Sequence, residues 1–468
     1  MRKTKIVCTI GPASRQPAVV RKLIHTVDVF RLNFSHGDHQ SHLEEARTIW
    51  YEANRAGRTV AILQDLPGPK VRVGKMASGS ADLPRGSQLT LTSSDVVGTA
   101  ALVPINNPAL LTSLEKGDVL HLADGVIRLK VEESTKEGVR CTVIAGGTLS
   151  SGKGVNAPGV KLKIDYPTAL DVEHLKFGLK LGVDYVAASF VRSPADIRAL
   201  KKLIPREGPQ VIAKIEKKEA VRAFDSILVE ADGVMVARGD LGIEAAIETV
   251  PVIQKEIIRK SNEAGKPVIV ATQMLVSMVN FPVPSRAEVT DVSTAILDGT
   301  DAVMLSDETT VGRYPIEAVR MLDKIARSTE RSLQSYARPL ANIESSETAT
   351  AIARAACSLA DYVGAKAIVA PTQTGSTARR VSKFKPSQPI IAMCTNATVA
   401  RRLMLYRGVL PILSRRAKSV DWLFERADLA AERLGFAKKG ERIVVTSGTP
   451  GMKGTTNLIK VSAVGSRA

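Results

Sequence analysis

Residues 59–72 have the sequence TVAILQDLPGPKVR, in which an apolar run ends at an acid, a Pro-Gly-Pro corner follows and two cations come next. The apolar run is rich in β-branched residues and predicts a buried strand. Because proline fixes φ and glycine permits close backbone approach, the corner is predicted to be rigid. The corner bears on the fold, since a regular alternation of strands and helices is interrupted there.

The apolar run belongs to a set of eight, and a helix-like stretch follows each one. The runs are TKIVCTI (4–10), VFRLNF (29–34), TVAILQD (59–65), DYVAASF (184–190), VIAKIE (211–216), GVMVAR (233–238), PVIVAT (267–272) and DAVMLS (301–306). Residues 42–57 and 250–265 are amphipathic and end at glycine, as helices often do. Eight strand–helix units predict a (β/α)8 barrel, formed here by residues 1–66 and 164–330.

The remaining residues have two other patterns. Between Val71 and Lys163, short alternating segments with Gly and Asp turns predict a small β-domain, inserted in the third βα loop of the barrel. After about residue 335, five β-like runs alternate with helical stretches and predict an open α/β domain. The predicted fold class is therefore α/β: a barrel, an inserted β-domain over 67–163 (the inserted domain) and a C-terminal domain over 331–468.

The chain is basic. It contains 65 Lys and Arg against 47 Asp and Glu, a formal net charge of +18. Residues 331–468 hold 22 of these cations and 8 of the acids, and so carry a net +14. Only 4% of residues are aromatic, which leaves few platforms for stacking bases, and no zinc-finger or RNP motif is present. The charge indicates a solvated surface or phosphorylated small ligands; neither nucleic acid nor a membrane is expected as a partner.

The composition also predicts the compartment. No run of 18 or more apolar residues is present, and the apolar stretch IVCTI after the basic N-terminus is too short for a signal peptide. The four cysteines lack metal-binding spacing and are interpreted as reduced core thiols. They are Cys8, Cys141, Cys357 and Cys394. A cytoplasmic location is expected.

Polar residues gather at the predicted carboxyl ends of six barrel strands, which is where barrels of this type place functional groups. They are Arg31, Asn33, Ser35 and His36; Asp65; Lys214 and Glu216; Arg238, Gly239 and Asp240; Thr272 and Gln273; and Ser306, Asp307 and Glu308. One polar strand end alone is common and carries little weight. Six at one rim predict an active site.

Lys214 and Glu216 are two residues apart on one strand, so both side chains point to the same face. Together with Asp240 they place two carboxylates beside an ammonium group. Two carboxylates without His or Cys nearby favour Mg²⁺ or Mn²⁺ over zinc. A purely structural ion pair at the barrel mouth is the alternative. The stretch ARGDLGIE (237–244) turns from strand to helix, and its free N–H groups suit a carboxylate or a phosphate.

Taken together, the motifs resemble those of the pyruvate kinase family. They run in order from Thr4 to Val461: TKIVCTIGPAS, RLNFSHG, GVNAPGVK, AKIEKKEAV, ARGDLGIE, ATQML, SRAEVTDV, DGTDAVMLS and GTTNLIKV. The resemblance implies a catalytic barrel, an inserted domain that caps it as a mobile lid, a regulatory C-terminal domain and a homotetramer. It also implies the reaction, in which phosphoenolpyruvate and ADP give pyruvate and ATP.

The resemblance further implies roles for individual residues. Arg31 and Lys214 would bind the transferred phosphoryl group, and Glu216 and Asp240 would bind Mg²⁺. The N–H groups of Gly239 and Asp240, with the Thr272 hydroxyl, would bind the substrate carboxylate. Thr272 or Ser306, through water, would supply the proton to the enolate. Arg72 and Lys153, with Asn33 and His36 nearby, would bind the nucleotide phosphates. Asn33, Ser35, Asp65 and the carbonyl of Leu66 would bind potassium.

Three positions depart from the family pattern. Where many members have Asp-Thr-Lys-Gly-Pro-Glu, this chain has residues 65–70, Asp-Leu-Pro-Gly-Pro-Lys, and so resembles the branch that works without potassium. We expect the Lys70 ammonium to supply that positive charge, unless Lys70 is a solvated surface lysine. Asp307 stands where the family has Gly or Ala and adds a side chain at the rim. Asp124 is a single acid where the family often has two, and is either a turn residue or a polar contact on closure.

Two loops of the C-terminal domain suit an anionic allosteric effector such as a sugar phosphate or AMP. PTQTGSTARR (371–380) offers hydroxyls and a glycine before a helix, and SGTPGMKGTTN (447–457) is rich in glycine. The expected ligand-binding residues are Thr372, Thr374, Gly375, Ser376 and Thr377, assisted by Arg379 and Arg380. Two ordinary connecting loops are the alternative.

Two other functions remain open at this point. A Mg²⁺-dependent barrel lyase acting on an oxo-acid would share Lys214, Glu216 and Asp240, but would not need the inserted domain, Arg72 or Lys153. A catalytically silent, nucleic-acid-binding relative would show salt-dependent retention of DNA or RNA and form no ATP.

Overall fold

A computed structural model of the chain describes residues 1–135, 138–160, 164–332, 347–417, 419–449 and 456–465. The chain begins with two and a half strand–helix units. They are β1 (Lys5–Thr9), α1 (Pro17–Leu23), β2 (Val29–Asn33), α2 (His39–Arg55) and β3 (Ala61–Asp65). Helix α2 begins after Asp38, whose carboxylate accepts the Ser41 N–H over 2.8 Å, and ends before Gly57, whose φ is +60°. The acceptor at the start and the left-handed residue after the end are what helix termini need.

The inserted domain follows β3 and is built from short strands. Its elements are β4 (Ser80–Leu83), β5 (Gln88–Thr92), β6 (Leu102–Pro104), α3 (Pro108–Ser113), β7 (Val119–Leu122), β8 (Ile127–Ser134), β9 (Val139–Ala145), β10 (Gly147–Ser150) and β11 (Val155–Asn156), with a 3₁₀ turn at Ala77–Gly79. They form a six-stranded sheet in the order β11-β7-β8-β9-β5-β6 and a two-stranded sheet of β10 and β4. Alternate residues of the larger sheet, such as Leu91, Leu120 and Val143, form a separate apolar core.

The chain then returns to the barrel. The elements are α4 (Ala169–Leu181), β12 (Tyr185–Ala188), α5 (Pro194–Lys202), β13 (Gln210–Ile215), α6 (Lys218–Arg222), α7 (Phe224–Glu230), β14 (Gly233–Ala237), α8 (Arg238–Glu244), α9 (Val250–Ala264), β15 (Val268–Ala271), α10 (Arg286–Leu297), β16 (Ala302–Leu305), α11 (Asp307–Thr310) and α12 (Pro315–Ser332), with 3₁₀ turns at Ile247–Thr249 and Val276–Val279. All eight predicted strands are present, all parallel, and they close in the order β1-β16-β15-β14-β13-β12-β3-β2.

Apolar side chains fill the barrel interior, among them Leu63, Tyr185 and Met235, and Met404 and Leu405 of the C-terminal domain pack against them. Tyr185 begins β12, and its hydroxyl donates to the carbonyl of Arg402. The C-terminal domain therefore covers the amino end of the barrel, and the carboxyl end is left for ligands.

The C-terminal domain is a five-stranded sheet with helices on both faces. Its elements are α13 (Thr348–Tyr362), β17 (Ile368–Thr372), α14 (Ser376–Lys383), β18 (Ile390–Cys394), α15 (Ala397–Arg402), β19 (Val409–Leu413), α16 (Val420–Arg433), β20 (Arg442–Ser447) and β21 (Leu458–Ala463). The strand order is β19-β18-β17-β20-β21, and only β21 is antiparallel to its neighbour. The predicted α/β fold class is confirmed. Among the described residues, no helix combines the length and apolarity needed to cross a membrane.

Candidate active site

The ammonium group of Lys214 lies at the carboxyl end of β13 among three oxygen atoms. Its Nζ donates to Ser189 Oγ over 2.7 Å and lies 3.2 Å from Asp65 Oδ1 and 2.9 Å from Glu216 Oε1. Burial disfavours the charged amine, but the carboxylates of Asp65 and Glu216 outweigh burial and raise the pKa of Lys214 above its ordinary value. Lys214 is therefore a fixed positive charge.

Arg31 provides a second fixed positive charge on the other side of Asp65. Its Nε donates to Asp65 Oδ2 over 2.6 Å, and its Nη1 donates to Thr9 Oγ1 over 3.0 Å. Burial alone would raise the pKa of Asp65, but Lys214 and Arg31 outweigh it and hold that pKa below its ordinary value. Asp65 is therefore ionised and holds the two cations close to each other.

Glu216 and Asp240 are the two carboxylates of the rim. Glu216 is fully buried, and its Oε2 accepts the Phe190 N–H over 2.6 Å. Its Oε1 lies 2.9 Å from the Lys214 ammonium, with which it forms an ion pair, and has no other partner among the described residues. Burial raises the pKa of Glu216; Lys214 opposes this effect, and the negative charge of Asp240 adds to it.

These two carboxylates fit a hard divalent cation. A buried carboxylate that is destabilised by a second carboxylate gains from a positive ion between them. Within the described part of the chain, no cluster of three or more His, Cys, Asp or Glu side chains is arranged for a metal. A site of two carboxylates suits Mg²⁺, which usually takes one or two protein carboxylates and completes its shell with water and substrate oxygens.

The Pro-Gly-Pro corner is fixed to the barrel by its glycine. The Gly68 N–H donates to Asp171 Oδ1 over 2.9 Å, and the φ of Gly68 is +65°. A Cβ atom at this position would lie 2.8 Å from the carbonyl oxygen of Ser189, the residue that contacts Lys214. Only glycine fits this turn, so the path of the chain out of the barrel is fixed against the active site.

The corner places the Lys70 ammonium against Asp240. Lys70 Nζ lies 3.4 Å from Asp240 Oδ1 and 5.8 Å from the centroid of the Phe190 ring. The side chain of Lys70 is about a quarter exposed, at 27%. It is therefore not a freely solvated lysine, and its charge lies beside one of the two candidate metal carboxylates.

Thr272 and Gly239 meet at the ends of the neighbouring strands β15 and β14. The Gly239 N–H donates to Thr272 Oγ1 over 2.8 Å, and the Thr272 hydroxyl donates to the carbonyl of Ala271 over 2.7 Å. Thr272 has a φ of +66° and Gln273 a φ of +54°. A β-branched residue rarely adopts this conformation, which persists only where the surrounding structure enforces it.

At the end of β16, Ser306 and its two acidic neighbours lie in different environments. Ser306 Oγ is buried and has no hydrogen-bond partner among the described residues. Glu308 is buried and accepts the N–H groups of Ser306 over 2.8 Å and Leu275 over 3.0 Å. Asp307 is exposed, so the departure from the family pattern adds charge to the rim and leaves the packing below it intact.

Two family models together match most of the chain. A model of the pyruvate kinase barrel domain matches residues 1–319, and a model of the pyruvate kinase alpha/beta domain matches residues 350–462. The chain belongs to the pyruvate kinase family. Pyruvate kinase 2 of Synechocystis sp. is 48% identical over 473 residues, which cover 99% of this chain and 79% of that protein. The pyruvate kinases of Geobacillus stearothermophilus and Thermotoga maritima are 44% and 42% identical, covering 99% of this chain in each case and 80% and 100% of those proteins.

The residues that the pyruvate kinase resemblance assigns to the nucleotide lie on two adjoining segments. Arg72 pairs with Gly154 in an isolated β-bridge, and its Nη1 donates to the carbonyl of Gly152 over 3.0 Å. Lys153 is exposed and lies between those two glycines. Burial and the nearby positive charges of Arg72, Arg31 and Lys70 lower the pKa of His36. The negative charge of Asp307 opposes this shift. Asp124 has a φ of +58° in the turn between β7 and β8.

The residues assigned to potassium lie at the adjacent ends of β2 and β3. Asn33 Oδ1 accepts the Ser35 N–H over 3.2 Å, and the Asp65 carbonyl accepts the Phe34 N–H over 3.0 Å. The Leu66 N–H donates to the carbonyl of Ala187 on β12. These backbone segments therefore lie next to one another. The Asp65 carboxylate already contacts Arg31, Lys214 and Ser189.

The candidate effector loop forms one wall of a cavity at the carboxyl edge of the C-terminal sheet. Thr372, Thr374, Ser376 and Thr377 line it, and Gly375 precedes α14 with a φ of +83°. The opposite wall includes Arg415, Arg416 and Trp422. In the second predicted loop, residues 450–455 lie outside the described residues.

Arg379 and Arg380, which were expected to assist this loop, are not among the residues that line the cavity. Arg380 pairs with Glu347, and Arg379 faces Tyr406, which raises the pKa of Arg379. Both belong to α14, and helical rotation turns them away from the loop that precedes the helix. Sequence reasoning missed Arg415 and Arg416, although two adjacent arginines directly after a predicted strand were a usable signal.

Proposed function

We infer that the chain acts as a pyruvate kinase and transfers the phosphoryl group of phosphoenolpyruvate to ADP, giving pyruvate and ATP. The observation that carries this inference is the pair of fixed cations, Arg31 and Lys214, held on either side of Asp65 next to two carboxylates. Phosphoryl transfer places charge on the equatorial oxygens of a loose transition state, so positioned positive charge is the main catalytic requirement.

Within this inference, Arg31 and Lys214 hold the phosphoryl group, and Glu216 and Asp240 hold Mg²⁺ or Mn²⁺. The bound metal supplies positive charge that neutralises the transferred group. The Thr272 hydroxyl and the N–H groups of Gly239 and Asp240 bind the substrate carboxylate. Because the Gly239 N–H now donates to Thr272, substrate binding exchanges that internal hydrogen bond for one to the ligand.

The enolate that leaves the phosphoryl group must gain a proton to become pyruvate. Thr272 or Ser306 delivers it through water in our proposal. The buried Ser306 Oγ supports this role, since it has no hydrogen-bond partner among the described residues and a buried hydroxyl needs one. A bound water satisfies that need.

Arg72 and Lys153 are proposed to bind the nucleotide phosphates, with Asn33 and His36 beside them. Arg72 lies near the rim, since its charge is one of those that lower the pKa of His36. We also propose that the enzyme does not require potassium at the predicted monovalent-cation site, which consists of Asn33, Ser35, Asp65 and Leu66. The contact between Lys70 and Asp240 supports this, because a positive charge already lies beside the metal carboxylates.

For the C-terminal cavity we propose a phosphorylated allosteric effector. Its binding residues are Thr372, Thr374, Gly375, Ser376 and Thr377, now with Arg415 and Arg416 as the cationic partners. A sugar phosphate or AMP should then lower the KM for phosphoenolpyruvate, with a coupling of about 1–3 kcal/mol. A screen in which no such compound shifts the saturation curve of the parent, or in which Arg416→Gln responds like the parent, would contradict this site.

We also propose a homotetramer that works in the cytoplasm, with the domain boundaries given above. The large exposed apolar side chains Phe281 and Val283, two residues apart in the chain, support association. All four cysteines are free and buried, which agrees with a reducing compartment. Sedimentation of the purified chain would test the tetramer.

The experiment that tests the proposed function is a coupled assay of pyruvate formation. Purified protein receives phosphoenolpyruvate, ADP and Mg²⁺, and each component is omitted in turn. Pyruvate and ATP are expected in equal amounts, and only when all three are present. Pyruvate formed without ADP would point to a lyase or a phosphatase, and retention on DNA without any ATP formed would point to a silent nucleic-acid-binding relative.

A further inference from the structure

Helix α8 lies at the junction between the candidate metal site and the inserted domain. Asp240 stands in its first turn and Glu244 in its last, four residues apart and therefore on the same helical face. Lys70, on the segment that leads into the inserted domain, contacts Asp240. Asn156, on the strand that leads out of it, contacts Glu244. The two chain segments that connect the domains therefore contact the two ends of one short helix.

The Glu244 carboxylate is the centre of a buried polar cluster. Its Oε1 accepts from Lys217 Nζ over 2.6 Å and from Asn156 Nδ2 over 3.2 Å. The Glu244 side chain is only 1% exposed, and Asn156 is buried as well. His121, the residue paired with Asn156 in the sheet, also faces Glu244 and is influenced by its charge.

Lys217 connects this cluster to the other metal carboxylate. It directly follows Glu216, so the Lys217–Glu244 ion pair ties the end of β13 to α8. Glu216 is held at one oxygen by the Phe190 N–H, and Asp240 moves with its helix. The separation of the two carboxylates therefore depends on how α8 sits against the end of β13.

We propose that Glu244 is a positioning residue that sets the separation of the Glu216 and Asp240 carboxylates according to whether Asn156 of the inserted domain is bound to it. This inference rests on the proposed metal site. With Asn156 and Lys217 both bound to Glu244, as in this structure, α8 is held at both ends and the two carboxylates adopt the spacing that the metal needs. Without the Asn156 contact, Lys217 alone holds Glu244 and the metal is bound more weakly.

The test is a titration of the full-length protein with Mn²⁺, in which free Mn²⁺ is followed by electron paramagnetic resonance. Asn156→Ala removes the contact from the inserted domain and touches neither carboxylate. We expect it to weaken Mn²⁺ binding about tenfold, the scale found when partners of metal ligands are removed. The matched control is Asn107→Ala, which removes an asparagine that caps α3 within the same domain. Mn²⁺ binding by this control should equal that of the parent.

A double variant separates coupling from simple damage. If Glu244 carries the effect, Asn156→Ala adds nothing to Glu244→Leu, which removes the acceptor oxygen, and additive losses would overturn the proposal. Should Glu244→Leu fail to fold, Asn156→Ala against Asn107→Ala still decides, and equal Mn²⁺ binding by those two variants overturns it. Glu216→Gln separates the two levels of inference. If it binds Mn²⁺ like the parent, the proposed metal site is wrong; if it loses Mn²⁺ while Asn156→Ala does not, only the role of Glu244 is wrong.

Discussion

The two ends of the barrel both contain buried charges but use them differently. At the amino end, four aspartates that precede alternate strands each accept a backbone N–H of a neighbouring strand and pair with at least one cation. The sets are Asp28 with Ile6 N, Arg2 and Lys5, Asp184 with Ile62 N and Arg401, Asp232 with Val211 N and Lys201, and Asp301 with Val268 N and Lys385. Each of these carboxylates therefore has both a backbone donor and a cation, supplied by the fold itself.

At the carboxyl end, two buried oxygens of the rim are paired less completely than these four carboxylates. Ser306 Oγ has no hydrogen-bond partner among the described residues, and Glu216 Oε1 has only the Lys214 ammonium, 2.9 Å away. Lys214 lies among oxygens of three residues at this end. We infer that charge at the amino end stabilises the fold, whereas charge at the carboxyl end is arranged for a ligand.

The largest expected difference follows from removing one buried lysine at each end. Lys214→Met should lower kcat by about 10²-fold or more, because the ammonium acts on charge that develops in the transition state. Lys385→Met should leave the kcat of the folded enzyme within a few-fold of the parent. It should instead lower the free energy of unfolding by about 3–5 kcal/mol, since Asp301 loses its buried partner. Steady-state kinetics and urea denaturation of both variants would measure this, and a kcat for Lys214→Met close to that of the parent would remove the distinction.

Carboxylates at the two ends should differ in their effect on the metal. Glu216→Gln or Asp240→Asn should raise the Mg²⁺ concentration for half-maximal rate by about tenfold or more, because each removes a hard anionic ligand. Asp232→Asn, at the amino end, is the matched control and should leave the Mg²⁺ titration unchanged. An effect of similar size in the control would show that the metal requirement reports general damage and not the site.

A smaller effect is expected from the charge at position 70. The parent enzyme should work nearly equally well in Na⁺, in K⁺ or in a bulky organic cation at matched ionic strength. Lys70→Glu should cut activity and partly restore a response to potassium, since it puts a negative charge beside Asp240 that a monovalent cation can offset. Lys75→Glu, an exposed lysine of the inserted domain, serves as the charge control. Strong activation of the parent by K⁺ would show that Lys70 does not replace the ion.

The smallest expected effect concerns pH. The pKa of His36 in the folded protein is lowered, so between that value and the unfolded value of about 6.5 the unfolded chain binds a proton that the native state does not. Stability should therefore fall as pH drops through this window. His36→Gln should remove part of that loss, and replacement of the exposed His25, which precedes β2, is the control substitution. Urea denaturation at pH 7.5 and 5.5 measures the difference, and identical pH slopes for the parent and His36→Gln would contradict it.

Much of the fold was predictable because local patterns decide it. Each buried barrel strand is a short β-branched run, and the helices over 39–55 and 250–264 end at glycines that the sequence displays. The corner at 67–69 indicated where the barrel is interrupted, since two prolines and a glycine allow few backbone paths. The eight strands and the five C-terminal strands are confirmed on this basis.

Long-range partners were not predictable in the same way. Lys70 lies five residues after Asp65 in the chain, yet its contact is with Asp240, 170 residues further on. The pairing of Asn156 with Glu244, and the replacement of Arg379 and Arg380 by Arg415 and Arg416 around the C-terminal cavity, depend on which way a strand or helix faces. Periodicity gives the spacing of side chains along an element but not the element's neighbour.

The most direct test of the difference between the two ends is the position of a metal ion. Crystals grown with Mn²⁺ and phosphoenolpyruvate, measured for anomalous scattering from manganese, would show where the ion binds. We predict a single strong peak at the carboxyl end, in contact with one oxygen each of Glu216 and Asp240. A peak among the aspartates of the amino end, or none between Glu216 and Asp240, would contradict the account.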